Sequence, residues 1–332
     1  MNINGVLILI IAILILVIIG LLFWRDDSGK TNDDNVPSTS EDNLEKWQEG
    51  IISHNGKSYI YNQKINAYLM MGIDKSGKVE TAADYQSGGQ SDAMFLVVTN
   101  AADKTISVIS INRNTMTRVE TFYKDGISSG YEIGQICVQH GFGDGKKLSC
   151  TRAADAVSHL FYNLPITGYL SLRLDAIPLM NDAIGGVKVE VLEDIEYPSK
   201  GVSLKKGEIK KLTGEEAYCY LRGRELDEFD SATNRLRRQE QYIGAFSEAL
   251  KGYTQGSASE MLSIYESIED YIVTNIDFAD LADELSKYEY DDSHMYTVPG
   301  ETKMGEEFEE YYVDEDKFFD LIIDIFYQEV KK

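Results

Sequence analysis

The segment Leu221–Gln241 has the sequence LRGRELDEFDSATNRLRRQEQ and gathers much of the positive charge of the chain. The 332 residues contain ten arginines and have a formal net charge of -23, and five of the arginines lie in this segment: Arg222, Arg224, Arg235, Arg237 and Arg238. A guanidinium group is planar and permanently charged, so a cluster of them suits bidentate binding of phosphate or carboxylate oxygens. The alternative is a solvated salt-bridge network with the acidic residues between the arginines.

Two helices are predicted to flank this segment. Thr213 and Glu216 have the Thr-x-x-Glu spacing of a capping box, so a helix should begin there and end near Gly223. Asp230 or Ser231 can cap a second helix. The apolar stripe of that second helix has helical spacing and consists of Leu236, Ile243, Phe246 and Leu250.

The second helix also orders the arginines by face. Arg235, Arg238 and Gln239 occupy positions i, i+3 and i+4 and therefore share one face. Arg237 falls on the opposite side, where we expect it to be solvated. Arg222 and Arg224 lie two residues apart and point the same way only if the chain there is extended.

Short apolar runs predict the strands of the domain. Residues 66–74, 93–99 and 105–111 are runs typical of strands buried on both faces of a sheet. Further along, helices are expected at 155–162, 176–183, 259–271, 278–288 and 314–330, and strands at 169–174, 187–192 and 295–298. This alternation predicts an α/β fold with a central mixed β-sheet layered between helices. A hairpin turn is expected at Asn55-Gly56.

The N-terminus predicts a membrane anchor. Val6–Trp24 is apolar and uncharged, and as a helix it would be about 28 Å long, close to the thickness of the hydrocarbon core. It lacks the basic start and small-x-small site of a cleavable signal, so we expect it to be retained. Residues 1–25 are therefore interpreted as a transmembrane anchor, 26–60 as a linker and lead-in, and 61–332 as the body.

Composition limits the other possibilities. The acidic balance argues against nucleic acid as a partner, because phosphate neutralisation there needs a wide basic face. Only four histidines are present and no Cys/His metal spacing is found, which argues against a zinc site. Cys137 and Cys150 bracket a glycine-rich loop and form either a disulfide or, together with Cys219, a set of buried thiols.

Acidic and basic residues follow the predicted strands. Asp74 ends the first strand in GID and Asp92 begins the next in SDAM, and side chains at adjoining strand ends meet at one edge of a sheet. A carboxylate pair there suits a hard cation such as Mg²⁺, although turn capping by each aspartate is the alternative. Arg113 follows the third strand in SINRNTM and should reach the same edge.

These motifs, in this order, resemble the LytR-CpsA-Psr family. The resemblance rests on the N-terminal anchor, GID at 72–74, SDAM at 91–94, SINRNTM at 110–116, IGGVKVEV at 184–191, LTGEEAYCYLRGR at 212–224 and NRLRRQ at 234–239. It departs from the family pattern at Ile-Asn-Arg-Asn, where Ile-Pro-Arg-Asp is usual, and in the longer gap between Asp230 and Arg235.

The resemblance implies a phosphotransferase that moves a glycopolymer from a polyprenyl-pyrophosphate carrier onto peptidoglycan, with the body outside the cell membrane. The local charges do not support that orientation: Arg25 and Lys30 follow the apolar run and none precedes it, which by the positive-inside rule favours the body inside. Hydrolysis of the pyrophosphate and a non-catalytic envelope sensor are the alternatives.

The resemblance also implies roles for individual residues. Asp74 and Asp92 would hold Mg²⁺, and Asp230, or Asp227 in its place, would be the base for the acceptor hydroxyl. The pyrophosphate would be bound by Arg113, Arg222, Arg224, Arg235, Arg238 and Gln239.

Overall fold

The computed structural model describes residues 50–84, 86–223, 229–254, 258–276 and 294–330. The predicted membrane segment, the linker, the helix expected at 278–288, Arg224 and Asp227 lie outside these residues. Among the residues described, none of the helices combines the length and apolar character needed to cross a membrane.

The described residues form strands and α-helices numbered here in chain order. The strands are β1 (Ile51–His54), β2 (Lys57–Tyr61), β3 (Ile65–Ile73), β4 (Ser91–Asn100), β5 (Thr105–Ile111), β6 (Met116–Phe122), β7 (Ser128–Gln135), β8 (Gly168–Arg173), β9 (Val187–Glu190), β10 (Ile195–Tyr197), β11 (Val202–Leu204), β12 (Ile209–Leu212), β13 (Ile272–Thr274), β14 (Met295–Thr297), β15 (Gly300–Met304), β16 (Glu309–Val313) and β17 (Tyr327–Glu329). The helices are α1 (Lys147–Leu160), α2 (Ala176–Ala183), α3 (Gly214–Arg222), α4 (Ser231–Thr254), α5 (Ala258–Ile268) and α6 (Glu315–Phe326).

A six-stranded sheet in the order β13-β8-β3-β4-β5-β14 forms the centre of the fold. The β3/β4, β4/β5 and β8/β13 pairs are antiparallel, while β3/β8 and β5/β14 are parallel. The predicted mixed sheet is therefore confirmed. Alternate side chains of each strand point to opposite faces, and both faces are covered by buried clusters.

One face of the sheet packs against α1 and α6. Leu69 and Leu96 lie in the same buried cluster as Phe161 and Phe318, whose rings meet edge to face at 5.0 Å. On the opposite face Phe95 and its neighbours pack against Leu236 of α4. A further core joins α2, α3, α4 and α5 to the small strands β9–β12. Helix α4 thus contributes to two cores, and its Arg235 reaches Asp92 at the sheet edge.

The helix ends around the arginine cluster follow the sequence prediction. Thr213 Oγ1 accepts from Glu216 N at 3.3 Å and Glu216 Oε2 accepts from Thr213 N at 3.0 Å, so the capping box is formed. Helix α3 ends at Arg222, and Gly223 N–H donates to Cys219 O. Helix α4 begins at Ser231.

Several predicted boundaries were wrong. The last helix ends at Phe326, and β17 then pairs with β2, where Tyr327 packs against Tyr61 at 5.7 Å. Helix α1 begins at Lys147 and not at 155. The prediction placed its start too late because its first buried residues, Ser149 and Cys150, are small and form no apolar stripe. The β6/β7 and β15/β16 ribbons were missed, since their residues do not alternate cleanly. The hairpin at Asn55-Gly56 is confirmed, with both residues at positive φ.

Candidate active site

The acidic and basic side chains predicted from strand ends meet at one edge of the central sheet. Asp74 follows β3, Asp92 lies at the start of β4, and Arg113 follows β5. The register of β3 and β4 shifts here, since Gly72 pairs with Ala93 whereas Ile73 pairs with Ser91. Asp92 is the extra residue of this bulge, and a bulge re-aims the side chain of its extra residue.

Asp92 joins two arginines from different parts of the chain. Its Oδ2 accepts a hydrogen bond from Arg235 Nη1 at 2.8 Å, and its Oδ1 lies 2.8 Å from Arg113 Nε. The second contact is an ion pair without hydrogen-bond alignment. The three side chains are 5 to 12% exposed. One buried carboxylate therefore holds the cationic groups of the sheet edge and of α4 together.

Asp74 is bound by the backbone of Gln90. Gln90 N donates to Asp74 Oδ1 at 2.6 Å, and Asp74 N donates to Gln90 O at 3.0 Å. Burial raises the pKa of Asp74, and the charge of Asp92 raises it further, while Gln90, Arg113 and Arg222 act in the opposite direction. The ionised Asp74 carboxylate would thus be stabilised by an additional cation.

The buried arginines of α4 bind two different parts of the structure. Arg235 turns to the sheet edge, whereas Arg238 Nε donates to Tyr220 O at 2.8 Å, its Nη2 donates to Gly223 O, and its Nη1 pairs with Glu193. Burial lowers the pKa of Arg238 to about 10. Arg238 therefore satisfies carbonyls at the end of α3, which would otherwise be unpaired.

Gln239 and Arg222 lie close to the charged residues of the site, whereas Arg237 is solvated. Gln239 is buried and its Nε2 donates to Leu221 O at 3.4 Å. Arg222 is half-buried, donates from Nη1 to the Tyr218 hydroxyl at 2.6 Å and lowers the pKa of Asp74 by its charge. Arg237 is exposed, as predicted.

Asp230 is positioned by the β15/β16 ribbon. Its φ of 62° lies in the left-handed region, which is uncommon for a residue with a side chain. Its N–H donates to Glu309 Oε1 at 2.6 Å, and its Oδ1 accepts from the Thr302 hydroxyl. Sequence reasoning did not find Thr302 or Glu309, because neither lies in a motif and both are more than 70 residues away along the chain.

An apolar cavity of about 160 Å³ adjoins the charged cluster. It lies between the sheet and helices α2 and α4, and most of its lining is aliphatic or aromatic. Gly72 and Ala93, which line it, are close neighbours of Asp74 and Asp92 in the chain, and Gln239 lies in its wall. The site therefore combines a charged end with an apolar compartment.

Asp74 and Asp92 are the candidate magnesium ligands, and both oxygens of Asp92 already contact arginines. Mg²⁺ is commonly held by one or two carboxylates together with substrate phosphates and water, and Asp92 is close enough to Asp74 for its charge to raise the pKa of Asp74. Within the described part of the chain, no group of three or more His, Cys, Asp or Glu side chains is arranged as a metal site.

The cysteines are free and buried. Cys137 lies beside the site, with Sγ 3.8 Å from Gln90 Oε1, and burial raises its pKa to about 11. Cys150 Sγ lies 3.4 Å from the Ser171 hydroxyl on the α1 side of the sheet. Of the two alternatives left by the sequence, the structure shows buried thiols.

Comparison with known proteins gives a consistent result. The model of the LytR_cpsA_psr family matches residues 28–322. A Bacillus cereus protein named polyisoprenyl-teichoic acid–peptidoglycan teichoic acid transferase TagU is 27% identical over 251 residues, which cover 74% of this chain and 73% of that protein.

Solved structures share the fold. Bacillus subtilis TagV superimposes with a TM-score of 0.59 at 21% identity, covering 79% of this chain and 96% of that chain. TagT bound to LIIa-WTA superimposes with a TM-score of 0.54 at 21% identity, covering 80% of this chain and 90% of that chain. Because the family match extends over most of the chain, this protein belongs to the LytR_cpsA_psr family.

Proposed function

We propose that this protein is a phosphotransferase that moves a glycopolymer from a polyprenyl-pyrophosphate carrier onto peptidoglycan. The observation that carries the proposal is the apolar cavity beside a buried cluster of two aspartates and several arginines. A lipid diphosphate has the same two parts, an apolar chain and a multiply charged head. The names of relatives such as the Bacillus cereus TagU, a teichoic acid transferase, support the same class of substrate.

The proposed reaction is an in-line displacement at phosphorus. The acceptor hydroxyl oxygen forms a bond to the phosphorus that carries the glycopolymer, and the bond from that phosphorus to the bridging oxygen breaks. Polyprenyl phosphate leaves with the electron pair, and the hydroxyl proton passes to Asp230. The products are a phosphodiester joining glycopolymer to peptidoglycan, and polyprenyl phosphate.

The arginines supply electrostatic stabilisation in this scheme. Phosphoryl transfer depends mostly on positioning and on neutralising charge that develops on phosphate oxygens. Arg113 and Arg235 are already oriented by Asp92, and Arg222 lies at the end of α3 next to the same cluster. Arg224 is proposed as a further diphosphate ligand from its motif alone.

The contacts of Arg238 limit its proposed role as a diphosphate ligand. Its guanidinium group is bound to Tyr220, Gly223 and Glu193, so it would touch the diphosphate only through a change of partners. Gln239, in the cavity wall, would meet the junction of head group and lipid.

Magnesium is proposed as the cofactor, held by Asp74 and Asp92. When bound, it would neutralise negative charge on the diphosphate oxygens. The chain itself contributes the rest: Asp92 orients two guanidinium groups, the Gln90 backbone fixes the Asp74 carboxylate, and Thr302 and Glu309 set the conformation of Asp230.

The test is transfer by the purified full chain in detergent, using a polyprenyl-diphosphate glycan and peptidoglycan fragments. We expect a peptidoglycan-linked phosphodiester and polyprenyl phosphate in equal amounts. Arg113→Ala should reduce the rate by about 100-fold or more, as expected for loss of a charge-stabilising group. The matched control Arg237→Ala removes an exposed arginine and should leave the rate unchanged. Polyprenyl phosphate released without acceptor sugar would indicate the hydrolase, and lipid binding without turnover would indicate the sensor.

The cavity has its own test. Val97 lies in the cavity lining, so Val97→Trp would occupy part of the apolar space. We expect the variant to lose co-purified polyprenyl lipid, detected by mass spectrometry, while it still binds inorganic pyrophosphate. Retention of the lipid would contradict the assignment of this cavity.

The cell-membrane location, with one membrane pass and the body outside, is also a proposal. It is supported by the apolar segment Val6–Trp24 and by the peptidoglycan acceptor in the names of relatives. Fusion of alkaline phosphatase to the C-terminus should give an active phosphatase in cells, whereas fusion of green fluorescent protein should not fluoresce if exported unfolded.

A further inference from the structure

Gln90 joins the two sides of the candidate site, and neither its motif nor its residue type marks it in the sequence. Its backbone N–H donates to Asp74 Oδ1 at 2.6 Å and its carbonyl accepts from Asp74 N at 3.0 Å. Its side-chain Oε1 accepts from Arg113 Nη2. Gln90 is therefore in contact with a predicted metal ligand through its backbone and with a predicted phosphate ligand through its side chain.

The backbone of Gln90 is held by close packing of the residues before it. Gly89 has a φ of +86°, and a Cβ added there would lie 2.8 Å from Ile73 Cγ2 and 3.3 Å from Asp74 Oδ1. His140 Nδ1 lies 3.0 Å from Gly89 O, and a Cβ at Gly88 would come within 2.9 Å of His140 O. The loop thus has little room to shift, so the Gln90 side chain begins from a fixed position.

The charge of the group that orients Arg113 matters as much as its position. Arg113 Nε already faces Asp92, which Arg235 shares. A neutral amide oxygen orients the guanidinium group without cancelling its charge. A carboxylate at position 90 would add a third negative charge next to Asp74 and Asp92, where an anionic substrate must bind.

We propose that Gln90 is a positioning residue that orients Arg113 and Asp74, and that its neutrality preserves the affinity of the site for a diphosphate. This inference rests on the proposed function and extends it to a residue outside the family motifs quoted above. Gln90 acts through Arg113 and Asp74.

Two variants of nearly equal size separate orientation from charge. Gln90→Met removes the acceptor, and Gln90→Glu keeps an acceptor but adds a charge. The control Gln328→Met changes an exposed glutamine on β17. Each full-length protein is measured in detergent for kcat and KM of transfer, and for binding of farnesyl diphosphate by calorimetry.

The expected results are opposite for the two variants. Gln90→Met should lower kcat by about tenfold with little change in KM, because Arg113 is bound but misaligned. Gln90→Glu should keep most of kcat and weaken farnesyl diphosphate binding by about tenfold, with a matching rise in KM. Gln328→Met should behave as the wild type. A purely structural role would move both constants together in both variants.

Either of two outcomes would overturn the inference: wild-type kcat in Gln90→Met, or wild-type diphosphate affinity in Gln90→Glu. If Gln90→Met does not fold, the Gln90→Glu arm decides. The binding arm does not require turnover, so the inference remains testable if the wild-type protein binds farnesyl diphosphate without transferring a glycopolymer, a result that would refute only the proposed function.

Discussion

Replacing Asp92 by asparagine should destabilise the free protein strongly. The Asp92 carboxylate lies 2.8 Å from both Arg113 Nε and Arg235 Nη1, and the side chains are 5 to 12% exposed. With charge centres about 4 Å apart and an effective dielectric constant of about 20, each pair attracts by roughly 4 kcal/mol before desolvation is counted. Removing one partner of a buried pair costs about 3–5 kcal/mol, because the remaining charge is left uncompensated.

The expected loss lies at the lower end of that range. Asparagine keeps one oxygen that can accept from Arg235, so we expect Asp92→Asn to lower the free energy of unfolding by about 3 kcal/mol. The measurement is urea unfolding at neutral pH followed by circular dichroism. Asp324→Asn, which neutralises an exposed carboxylate on α6, is the control and should change stability by less than about 0.5 kcal/mol.

Inorganic pyrophosphate should reverse the effect of Asp92→Asn. In the variant, the guanidinium groups of Arg113 and Arg235 lack their buried counter-charge, so an added anion should bind them more tightly than in the wild type. A ligand that binds only the folded state stabilises it by RT ln(1 + [L]/Kd). Without added Mg²⁺, we therefore expect pyrophosphate to raise the melting temperature of the variant more than that of the wild type. A loss below about 1 kcal/mol, or greater protection of the wild type by pyrophosphate, would refute this account of the site.

Three other predictions test separate parts of the structure. Burial lowers the pKa of His140 from 6.5 to about 4; the folded state thus favours the neutral ring, and this contribution, complete above pH 6.5, is lost as the pH falls toward 4. His140→Asn removes the titrating ring, while its amide can still donate to Gly89 O. The fall in unfolding free energy between pH 6.5 and 4 should then be about 3 kcal/mol smaller than in the wild type. An unchanged dependence on pH would contradict the assignment of this effect to His140. Thr302→Val should lower transfer five- to tenfold and the free energy of unfolding by about 1–1.5 kcal/mol, because Asp230 loses a hydrogen bond of that net size. Thr302→Ser should retain most activity, and equal rates in the two variants would exclude a role for the hydroxyl. Iodoacetamide at pH 8 should label Cys137, Cys150 and Cys219 only in urea, since burial raises the pKa of each thiol. Labelling of the folded protein would show that the thiols are accessible.

Much of the architecture was predictable from local patterns. The apolar runs located β3, β4 and β5 to within two residues at each end, because a strand buried on both faces must be apolar throughout. The capping box at Thr213 and Glu216 marked the start of α3, since it satisfies orphan N–H groups using residues three apart. The exposed position of Arg237 followed from helical periodicity.

The candidate site was predictable in its residue types and in the sheet edge where three of them meet. The strand ends predicted that Asp74, Asp92 and Arg113 would share a sheet edge, and they do. The partners of those residues were not predictable. Asp92 is bound by Arg235, which lies 143 residues away in the chain. The direction of the Asp92 side chain depends on a bulge in β4 that no sequence pattern predicts.

The sequence by itself determined the strands β3, β4 and β5, the start of α3, which face of α4 is polar and which family the motifs resemble, because each of these depends on neighbours within a few residues. Only the tertiary structure decided that Arg238 holds carbonyls of α3 instead of pointing to the sheet edge, that Gln90 joins Asp74 to Arg113, and that an apolar cavity lies beside them. These contacts depend on strand order, register and the packing of distant elements, to which local periodicity is insensitive.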